Sequence, residues 1–438
     1  MMDSAERVSS RSLYHQVSSL LLYQAVFENE VGQAFLNLLQ TLNEGQGKLK
    51  TRGVGSVDCL QAYGLWFRSL AGRNQSWQDF IVDQILWDSN PFSDHAQADT
   101  LDTHSSSLLE AAKYDLKILQ SIYHCTSEQI SHWIKTASQT SLTPLIWTLE
   151  SSRDNFLYHS DDWSNNLPEL IEHYQQYGTG ILGKYGAFRW HQNNLKEIPQ
   201  PDPIQLTELV GYETQKKQLI QNTECLLSGY PALHVLLYGS RGSGKSSLIK
   251  SLLNQYHQQG LRLVEVDKSD LICLPSIIEQ LRDLPQKFIL FVDDLSFEED
   301  DDTFKALKVA LEGSLTARAG NVVVYATSNR RHLIREFFAD RPKPSQSDEV
   351  HAWDTLQEKL SFSDRFGLTL TFEPINQDSY LAIVFHLAKL ANITLDEEAL
   401  AFRAKQWATR HNGRSGRTAR QFIDYLQGEI RLNQRDES

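Results

Sequence analysis

The sequence of 438 residues predicts an α/β fold, a doubly wound parallel sheet, in the second half of the chain, after a mostly helical first half. Between residues 234 and 329, short apolar runs alternate with segments of helical periodicity, as in successive βαβ units. Before residue 195, apolar residues recur mainly at three- and four-residue intervals, which is typical of helices. Three prolines, Pro199, Pro201 and Pro203, separate the two patterns and predict an extended linker.

The helical half is predicted from its apolar periodicity at Ser12–Thr41, Gln61–Leu70, Ser106–Tyr123 and Ser127–Thr136. Seven of the nine tryptophans lie in this half, and we interpret them as core residues rather than as the lining of a ligand groove. They are Trp66, Trp77, Trp87, Trp133, Trp147, Trp163 and Trp190. The segment GTGILG matches a dinucleotide fingerprint, but it follows a polar helical stretch instead of a strand, so we expect a turn and no dinucleotide.

The α/β half is predicted strand by strand. HVLLYG, RLVEVD, KFILFVDD and NVVVYATSN are the β-rich runs, and SSLIKSLLNQY, LPSIIEQLRDL and TFKALKVALEGS are the helical segments between them. Ligand sites of such sheets lie beyond the carboxyl ends of the strands. The polar residues that follow each strand are therefore the candidates for function.

Composition narrows the class of protein. A formal net charge of -13 disfavours nucleic acid, because phosphate contacts need clustered Lys and Arg, although a local basic surface remains possible. The amino-terminal residues lack the pattern of a secretory signal, and no apolar run reaches the length of a membrane helix. The four cysteines are dispersed without metal-ligand spacing. We expect a cytoplasmic protein without membrane insertion.

A phosphate-binding loop follows the first of these strands. GSRGSGKS is a complete G-x-x-x-x-G-K-S motif between a strand and a helix, which is the context the motif requires. Its glycines let backbone N–H groups surround a phosphate, Lys245 offers a charge to the β- and γ-phosphates of ATP, and the Ser246 hydroxyl ligates Mg²⁺. The expected nucleotide contacts are Gly239, Ser240, Arg241, Gly242, Ser243, Gly244, Lys245, Ser246 and Ser247.

Two carboxylates end the strand KFILFVDD. Asp293 is the candidate magnesium-side carboxylate, and Asp294 is the candidate general base that polarises the attacking water. Most ATPases of this kind carry Glu at the second position. Because Asp is one methylene shorter, Glu298 or Glu299 could share the task.

The strand NVVVYATSN ends in polar residues at the same predicted sheet edge. Asn329 can orient a water molecule and touch the γ-phosphate, or it can simply cap the next helix in a Ser/Asn turn.

These motifs occur in the order of the AAA+ superfamily. Residues 200 to 430 resemble more closely one bacterial AAA+ family that is described only as a predicted ATPase of unknown function. The likeness is carried by LLYGSRGSGKSSLIKSLLNQY, ATSNRRHLI and EKLSFSDRFGL. Apolar periodicity and the prolines predict a mostly helical N-terminal domain (1–195) and a Pro-rich linker (196–208). For the rest of the chain, the resemblance implies an α/β ATP-binding core (209–372) and a C-terminal helical lid (373–438).

The resemblance also implies roles for single residues. Val210 and Gly211 lie near the adenine, Asn329 is sensor 1, and Arg365 has the place of an arginine finger, although local sequence equally allows a salt-bridged surface residue. In the lid, GRSGRTARQFIDYL resembles the sensor 2 element. Arg417 is its preferred candidate, with Arg414 and Arg420 as alternatives.

Two departures from protein unfoldases argue against processive threading of a substrate: residues 337–350 hold no aromatic-Gly signature, and the Asp-Asp pair is closer to replication initiators. The leading hypothesis is a homo-oligomeric ATPase that hydrolyses ATP at subunit interfaces to remodel or load an unknown protein partner. A nucleotide-gated switch with slow hydrolysis is the second hypothesis, and a small-molecule kinase is the third.

Overall fold

The computed structural model describes residues 9–47, 55–101, 105–138, 143–149, 154–296, 302–312, 319–329, 365–411 and 413–436. The chain forms two compact units, Met1–Lys184 and Tyr185–Ser438. The predicted linker began after residue 195, so the observed division lies earlier in the chain.

The first unit is helical in its described residues, as the periodicity predicts. Its helices are α1 (Ser10–Ser18), α2 (Glu30–Gly47), α3 (Gly55–Arg73), α4 (Trp77–Trp87), α5 (Pro91–Gln97), α6 (Ser106–Tyr123), α7 (Ser127–Ser138), α8 (Leu167–Tyr177) and α9 (Gly180–Lys184). The segment GTGILG spans the end of α8, where Gly178 adopts φ 81°, and the start of α9. A left-handed glycine is a common way to end a helix.

A buried carboxylate explains why the predicted helix Ser12–Thr41 is interrupted. Asp115 of α6 is fully buried and accepts hydrogen bonds of 2.7–3.1 Å from the backbone N–H groups of Leu21, Leu22 and Tyr23. These donors are satisfied by a side chain distant in sequence instead of by a helical turn. The chain therefore turns between α1 and α2, which apolar spacing alone does not reveal.

The tryptophans of this unit lie in or against its core. Trp66, Trp77 and Trp163 are at most 1% exposed, and the remaining three, Trp87, Trp133 and Trp147, pack against the same cluster. The interpretation of these residues as core is confirmed.

The second unit is built on a seven-stranded sheet with the order β2-β1-β4-β5-β6-β3-β7. Its strands are β1 (Ala187–His191), β2 (Asn194–Glu197), β3 (Val235–Gly239), β4 (Leu261–Glu265), β5 (Lys287–Val292), β6 (Val322–Ser328) and β7 (Leu368–Phe372). All neighbouring strands pair in parallel except β1 and β2, which form an antiparallel hairpin. The α/β fold class predicted from the sequence is confirmed.

The β1–β2 hairpin accounts for the earlier division between the units. Ala187–Arg189 pair in parallel with Leu263–Glu265 of β4, so this hairpin extends the sheet. The turn residues Gln192 and Asn193 have φ values of 49° and 62°, as in a tight two-residue hairpin. Trp190 is 2% exposed within β1 and thus belongs to the second unit. The strands are too short to give a clear alternation in the sequence.

Helices cover the sheet and continue beyond it. They are α10 (Glu213–Leu227), α11 (Lys245–Tyr256), α12 (Leu274–Leu281), α13 (Asp302–Glu312), α14 (Gln377–Leu390), α15 (Glu397–Arg410) and α16 (Gly416–Asp436). The last three share an apolar cluster of their own and form the lid. A separate cluster joins α10 and α11 to one face of the sheet, which fixes α11 behind the loop that precedes it.

Candidate nucleotide-binding site

The phosphate-binding loop connects β3 to α11 at the carboxyl edge of the sheet. Gly239 has φ 144°, and a Cβ atom at this position would lie 1.9 Å from the carbonyl oxygen of Phe372. Gly242 has φ 73°, and its Cβ atom would lie 2.9 Å from Cβ of Ser415 in the lid. Only glycine combines these backbone angles with such close contacts. The loop thus has the shape of a phosphate cradle at the amino end of a helix.

Lys245 begins α11 and lies across the loop. Its Nζ donates hydrogen bonds to the carbonyl oxygens of Gly239 (3.0 Å) and Ser240 (2.8 Å) and lies 3.4 Å from Oδ1 of Asn329. Burial lowers the pKa of the Lys245 ammonium below its ordinary value, whereas the charges of Asp293 and Asp294 act in the opposite direction. A buried ammonium held by carbonyl oxygens gains from an incoming anion.

Asp293 follows β5 and meets the first turn of α11. Its Oδ1 accepts hydrogen bonds from the hydroxyls of Ser246 (2.7 Å) and Thr327 (2.5 Å). A hydroxyl and a carboxylate side by side are the hard oxygen ligands that Mg²⁺ prefers. Among the described residues, no cluster of three or more His, Cys, Asp or Glu side chains is placed to hold a metal.

Asp294 has the left-handed φ of 50°, a conformation that Asp adopts more readily than most residues. Its backbone N–H donates to Oγ1 of Thr327 (3.0 Å), which stabilises this turn. The side-chain amide of Asn329 donates a hydrogen bond of 2.6 Å to Oδ1 of Asp294. Lys245, Asp294 and Asn329, predicted from three separate segments, therefore lie together.

A cavity of about 780 Å³ contains this network and extends to the lid. Such a volume suits a ligand of nucleotide size. Thirteen of the residues predicted from the sequence line it: Val210, Gly211, Arg241, Gly242, Ser243, Gly244, Lys245, Ser246, Ser247, Asp293, Asp294, Asn329 and Arg417. Gly239 and Ser240 do not line the cavity, but their carbonyl oxygens hold Lys245.

The lid contributes two arginines and an apolar wall. Arg417 lines the cavity, and its backbone N–H donates to the carbonyl oxygen of Gly242 (3.3 Å). Arg420 also lines the cavity and is ion-paired with Glu208. Arg414 is not a lining residue and donates to Gln377 (3.0 Å). Of the three sensor 2 candidates, Arg417 and Arg420 therefore face the site.

Glu208 is a site residue that the sequence reasoning missed. Burial alone would raise its pKa, but hydrogen bonds from Arg420 and from the backbone of Gln205 outweigh burial, so the pKa lies below the ordinary value. Ile383 and Leu387 of α14 were also missed. Their helical spacing resembles that of any core position, and only the fold brings them to the cavity.

Arg365 lies away from this cavity. It precedes β7, whose last residue, Phe372, pairs with Gly239 at the start of the loop. Since β7 runs parallel to β3, Arg365 lies beyond the opposite edge of the sheet, and β7 alone separates the two ends by about 13 Å. The other candidate bases, Glu298 and Glu299, lie outside the described residues, as does the predicted loop 337–350.

Comparison with protein families finds a match that covers most of the second unit. Residues 183–430 match the family described as "Protein of unknown function (DUF815)", which covers more than half of the chain. The chain belongs to the DUF815 family. The match includes the whole sheet, the phosphate-binding loop and most of the lid.

Curated relatives of this DUF815 protein include two AAA+ proteins. The replication factor C large subunit of Staphylothermus marinus is 41% identical over 69 residues, 16% of either chain. The RuvB subunit of the Holliday junction branch migration complex of Mycoplasmopsis synoviae is 27% identical over 214 residues, 46% of this chain and 61% of RuvB. The DUF815 chain thus spans less than two thirds of each relative.

Solved structures similar to the DUF815 chain include that of Thermotoga maritima RuvB, a Holliday junction branch migration motor. It is 16% identical, covers 51% of this chain and 72% of RuvB, and has a TM-score of 0.32.

The family match and the curated relatives, together with the sheet and loop, support an AAA+ nucleotide-binding protein. The specific family described as a predicted ATPase remains an expectation. Within the described stretches of the DUF815 protein, every helix is too short or too polar to span a lipid bilayer.

Proposed function

We propose that this protein binds Mg²⁺-ATP in the cavity between the sheet and the lid and hydrolyses it. The observation that carries the proposal is the convergence of Lys245, Asp293, Asp294 and Asn329 at one end of the phosphate-binding loop. These groups lie in the segments that follow β3, β5 and β6, whose carboxyl ends meet at the ligand-binding edge of such a sheet.

Binding of the phosphates falls to the loop and to three cations. The N–H groups at the start of α11 face an anion, and Lys245 exchanges its carbonyl partners for phosphate oxygens. Arg417 and Arg420 line the lid side of the cavity and balance further negative charge. The base and ribose then lie toward Val210, Gly211 and the apolar side chains of α14.

Ser246 and Asp293 would hold the magnesium ion. When bound, Mg²⁺ neutralises charge that develops on the phosphates. Thr327 orients Asp293 by donating to the oxygen that Ser246 also uses, so the carboxylate is fixed before an ion arrives.

Asp294 is the proposed general base and Asn329 its positioning residue. A base must lie within hydrogen-bond reach of the water that it activates. Asn329 already holds one carboxylate oxygen of Asp294 at 2.6 Å, which leaves the second oxygen to accept a proton from water. The amide of Asn329 thereby connects the base to Lys245.

The active unit is proposed to be a homo-oligomer in which Arg365 completes the site of a neighbour. Its place beyond the sheet edge opposite the loop supports this part, because Arg365 cannot reach the cavity of its own chain. The division into core (209–372) and lid (373–438), the cytoplasmic location and the remodelling or loading of an unknown protein partner complete the proposal.

One observation favours a second function, that of a nucleotide switch with slow turnover. Asp294 is shorter than the Glu usual at its position, and Asn329 already occupies one of its oxygens. A weakly activated water would leave ATP bound for long periods, and lid closure would then be the signal.

Calorimetry and turnover assays test the proposal together. Lys245→Ala should weaken Mg²⁺-ATP affinity by about 10- to 100-fold, the value of one or two charged hydrogen bonds. Lys217→Ala, which removes an exposed lysine of α10, is the matched control and should bind normally. Unchanged affinity in Lys245→Ala would exclude the loop from nucleotide binding. Steady-state turnover, measured with and without a partner, separates the enzyme from the switch.

The partner can be captured with a stalled enzyme. Asp294→Asn should bind ATP without hydrolysing it and retain whatever the ATP-bound form recruits. A partner that elutes with ATP but not with ADP supports the remodelling proposal, whereas equal recovery with both nucleotides contradicts it.

A further inference from the structure

The segment 202–211, here called the strap, runs along the cavity between the helix that carries the loop lysine and the lid. It precedes the strand β3 in the chain and forms a wall of the site. The strap residues that line the cavity are Asp202, Pro203, Ile204, Glu208, Leu209, Val210 and Gly211.

One end of the strap is fastened to α11. The side-chain amide of Asn254 donates hydrogen bonds to the carbonyl oxygens of Asp202 (2.9 Å) and Ile204 (2.7 Å). Lys250 lies 3.8 Å from the carboxylate of Asp202. Because α11 begins at Lys245, this end is attached to the phosphate-binding part of the site.

The other end is fastened to the lid. Nε2 of His386 in α14 donates a hydrogen bond of 2.6 Å to the carbonyl oxygen of Thr207. Arg420 in α16 is ion-paired with the carboxylate of Glu208. The two lid helices thus hold adjacent residues of the strap.

Glu208 is itself held rigidly. It ends a short 3₁₀ turn in which its Oε1 accepts the backbone N–H of Gln205 (3.1 Å), while Oε2 receives Arg420. The side chain of Gln205 completes a reciprocal capping box. The two carboxylate oxygens of Glu208 therefore have different partners, Gln205 within the strap for Oε1 and Arg420 of the lid for Oε2.

We propose that Glu208 is a positioning residue that holds Arg420, and with it the lid, in place to receive a nucleotide. The inference rests on the proposed function of the cavity as an ATP site. Ordering a free arginine side chain costs conformational entropy. A guanidinium that Glu208 already orders spares part of this cost when the nucleotide binds, which strengthens binding. Substitution of Glu208 should then weaken nucleotide binding only when Arg420 is present.

A double-mutant cycle on Mg²⁺-ATP affinity tests this. Glu208→Gln keeps an oxygen for the N–H of Gln205 but loses the charge that holds Arg420. It should weaken binding about fivefold, as expected for a partly exposed charged pair. In the background of Arg420→Gln, the same change should have no further effect. Glu279→Gln is the matched control, since Glu279 pairs with Arg282 (3.2 Å) outside the cavity.

Two results would overturn this inference while leaving the proposed ATP site intact. One is wild-type ATP affinity in Glu208→Gln. The other is additive losses of affinity in the cycle, which would indicate that Glu208 acts only within the strap. If Glu208→Gln does not fold, the cycle is run with Glu208→Asp, which shortens the reach to Arg420 by one methylene, and the same outcomes decide. Failure of wild type and Glu279→Gln to bind ATP would instead remove the proposed function, and this inference with it.

Discussion

The side-chain amide of Asn329 lies between two charged groups, with its nitrogen 2.6 Å from the carboxylate of Asp294 and its oxygen 3.4 Å from Nζ of Lys245. An amide offers a donor and an acceptor at once, so it can bridge an anion and a cation. The ends of β5 and β6 are thereby connected to the loop after β3. Substitution of Lys245, Asp294 or Asn329 should therefore alter the position of the other two side chains.

Substitutions of Asp293 and Asp294 should therefore have different effects on Mg²⁺ use and on turnover. Asp294→Asn keeps an oxygen for Asn329 and should bind Mg²⁺-ATP normally, but its turnover should fall on the order of 100-fold because the base is lost. Asp293→Asn loses the carboxylate beside Ser246, so its half-saturating Mg²⁺ concentration should rise roughly 10-fold. Binding by calorimetry and turnover by phosphate release distinguish the two. Normal turnover in Asp294→Asn would transfer the role of base to Glu298 or Glu299.

Arg365 should contribute to ATP hydrolysis only when the protein forms an oligomer. Arg365→Ala should bind ATP with wild-type affinity and hydrolyse it about 1,000-fold more slowly, the range known for arginine fingers. Specific activity of the wild type should rise with protein concentration. Arg365→Ala and Lys245→Ala should each be inactive alone. Mixing the two variants should restore some activity, because Lys245→Ala supplies the arginine and Arg365→Ala supplies an intact cavity.

Two results would contradict a site shared between subunits. In the first, Arg365→Ala hydrolyses ATP at the wild-type rate. In the second, the mixture of Arg365→Ala and Lys245→Ala remains inactive although native mass spectrometry detects mixed oligomers. Lys217→Ala mixed with Lys245→Ala controls for simple dilution of active chains.

Gly239→Ala should disable the site by sterics alone. The new methyl group would meet the carbonyl oxygen of Phe372 at 1.9 Å, so β3 and β7 must separate or the loop must shift. We expect loss of nucleotide binding and destabilisation by about 1–3 kcal/mol. Gly229→Ala is a useful control, since it also has a positive φ (74°) but meets no atom within 4 Å. Equal effects of the two variants would mean that strain at φ, rather than the clash, is responsible.

His173 should give the helical unit a dependence on acid. Burial lowers the pKa of His173 to about 4, from an ordinary value of 6.5. The ring is neutral in the folded unit but binds a proton in the unfolded chain, so stability is lost as the pH falls from 6.5 toward 4. The melting temperature of wild type relative to His173→Gln should fall over this window. NMR titration of the His173 ring checks the cause, and a midpoint near 6.5 contradicts it.

Much of the α/β unit could be predicted because its signals are local. The strands β3, β5 and β6 are built on continuous apolar runs, β4 is a shorter apolar run interrupted by Arg262, and the loop motif fixes its own backbone. The remaining strands carry weaker signals. β1 pairs with β4, and β7 pairs with β3, so the place of these two strands in the sheet depends on partners far away in sequence. β2 joins the sheet only through β1.

The site was predictable to the same degree. Residues that follow strands were found, because their place depends only on the strand. Glu208 was not found, since an isolated Glu in a polar segment has meaning only beside Arg420, more than 200 residues later. Arg417 was preferred to Arg420 on the resemblance alone, and the structure does not separate the two, because both line the cavity from the first turns of α16.

The cavity is lined by stretches that the chain itself keeps far apart, from Asp202 in the strap to Asp424 in the last helix. Any molecule that fills it acts as a non-covalent crosslink between the sheet and the three-helix lid. A ligand at 100 times its dissociation constant adds about 2.7 kcal/mol to the unfolding free energy of the unit that holds it. Heating with increasing ligand should thus move one unfolding transition upward while that of the helical unit stays in place, and the two units could be followed separately within a single chain.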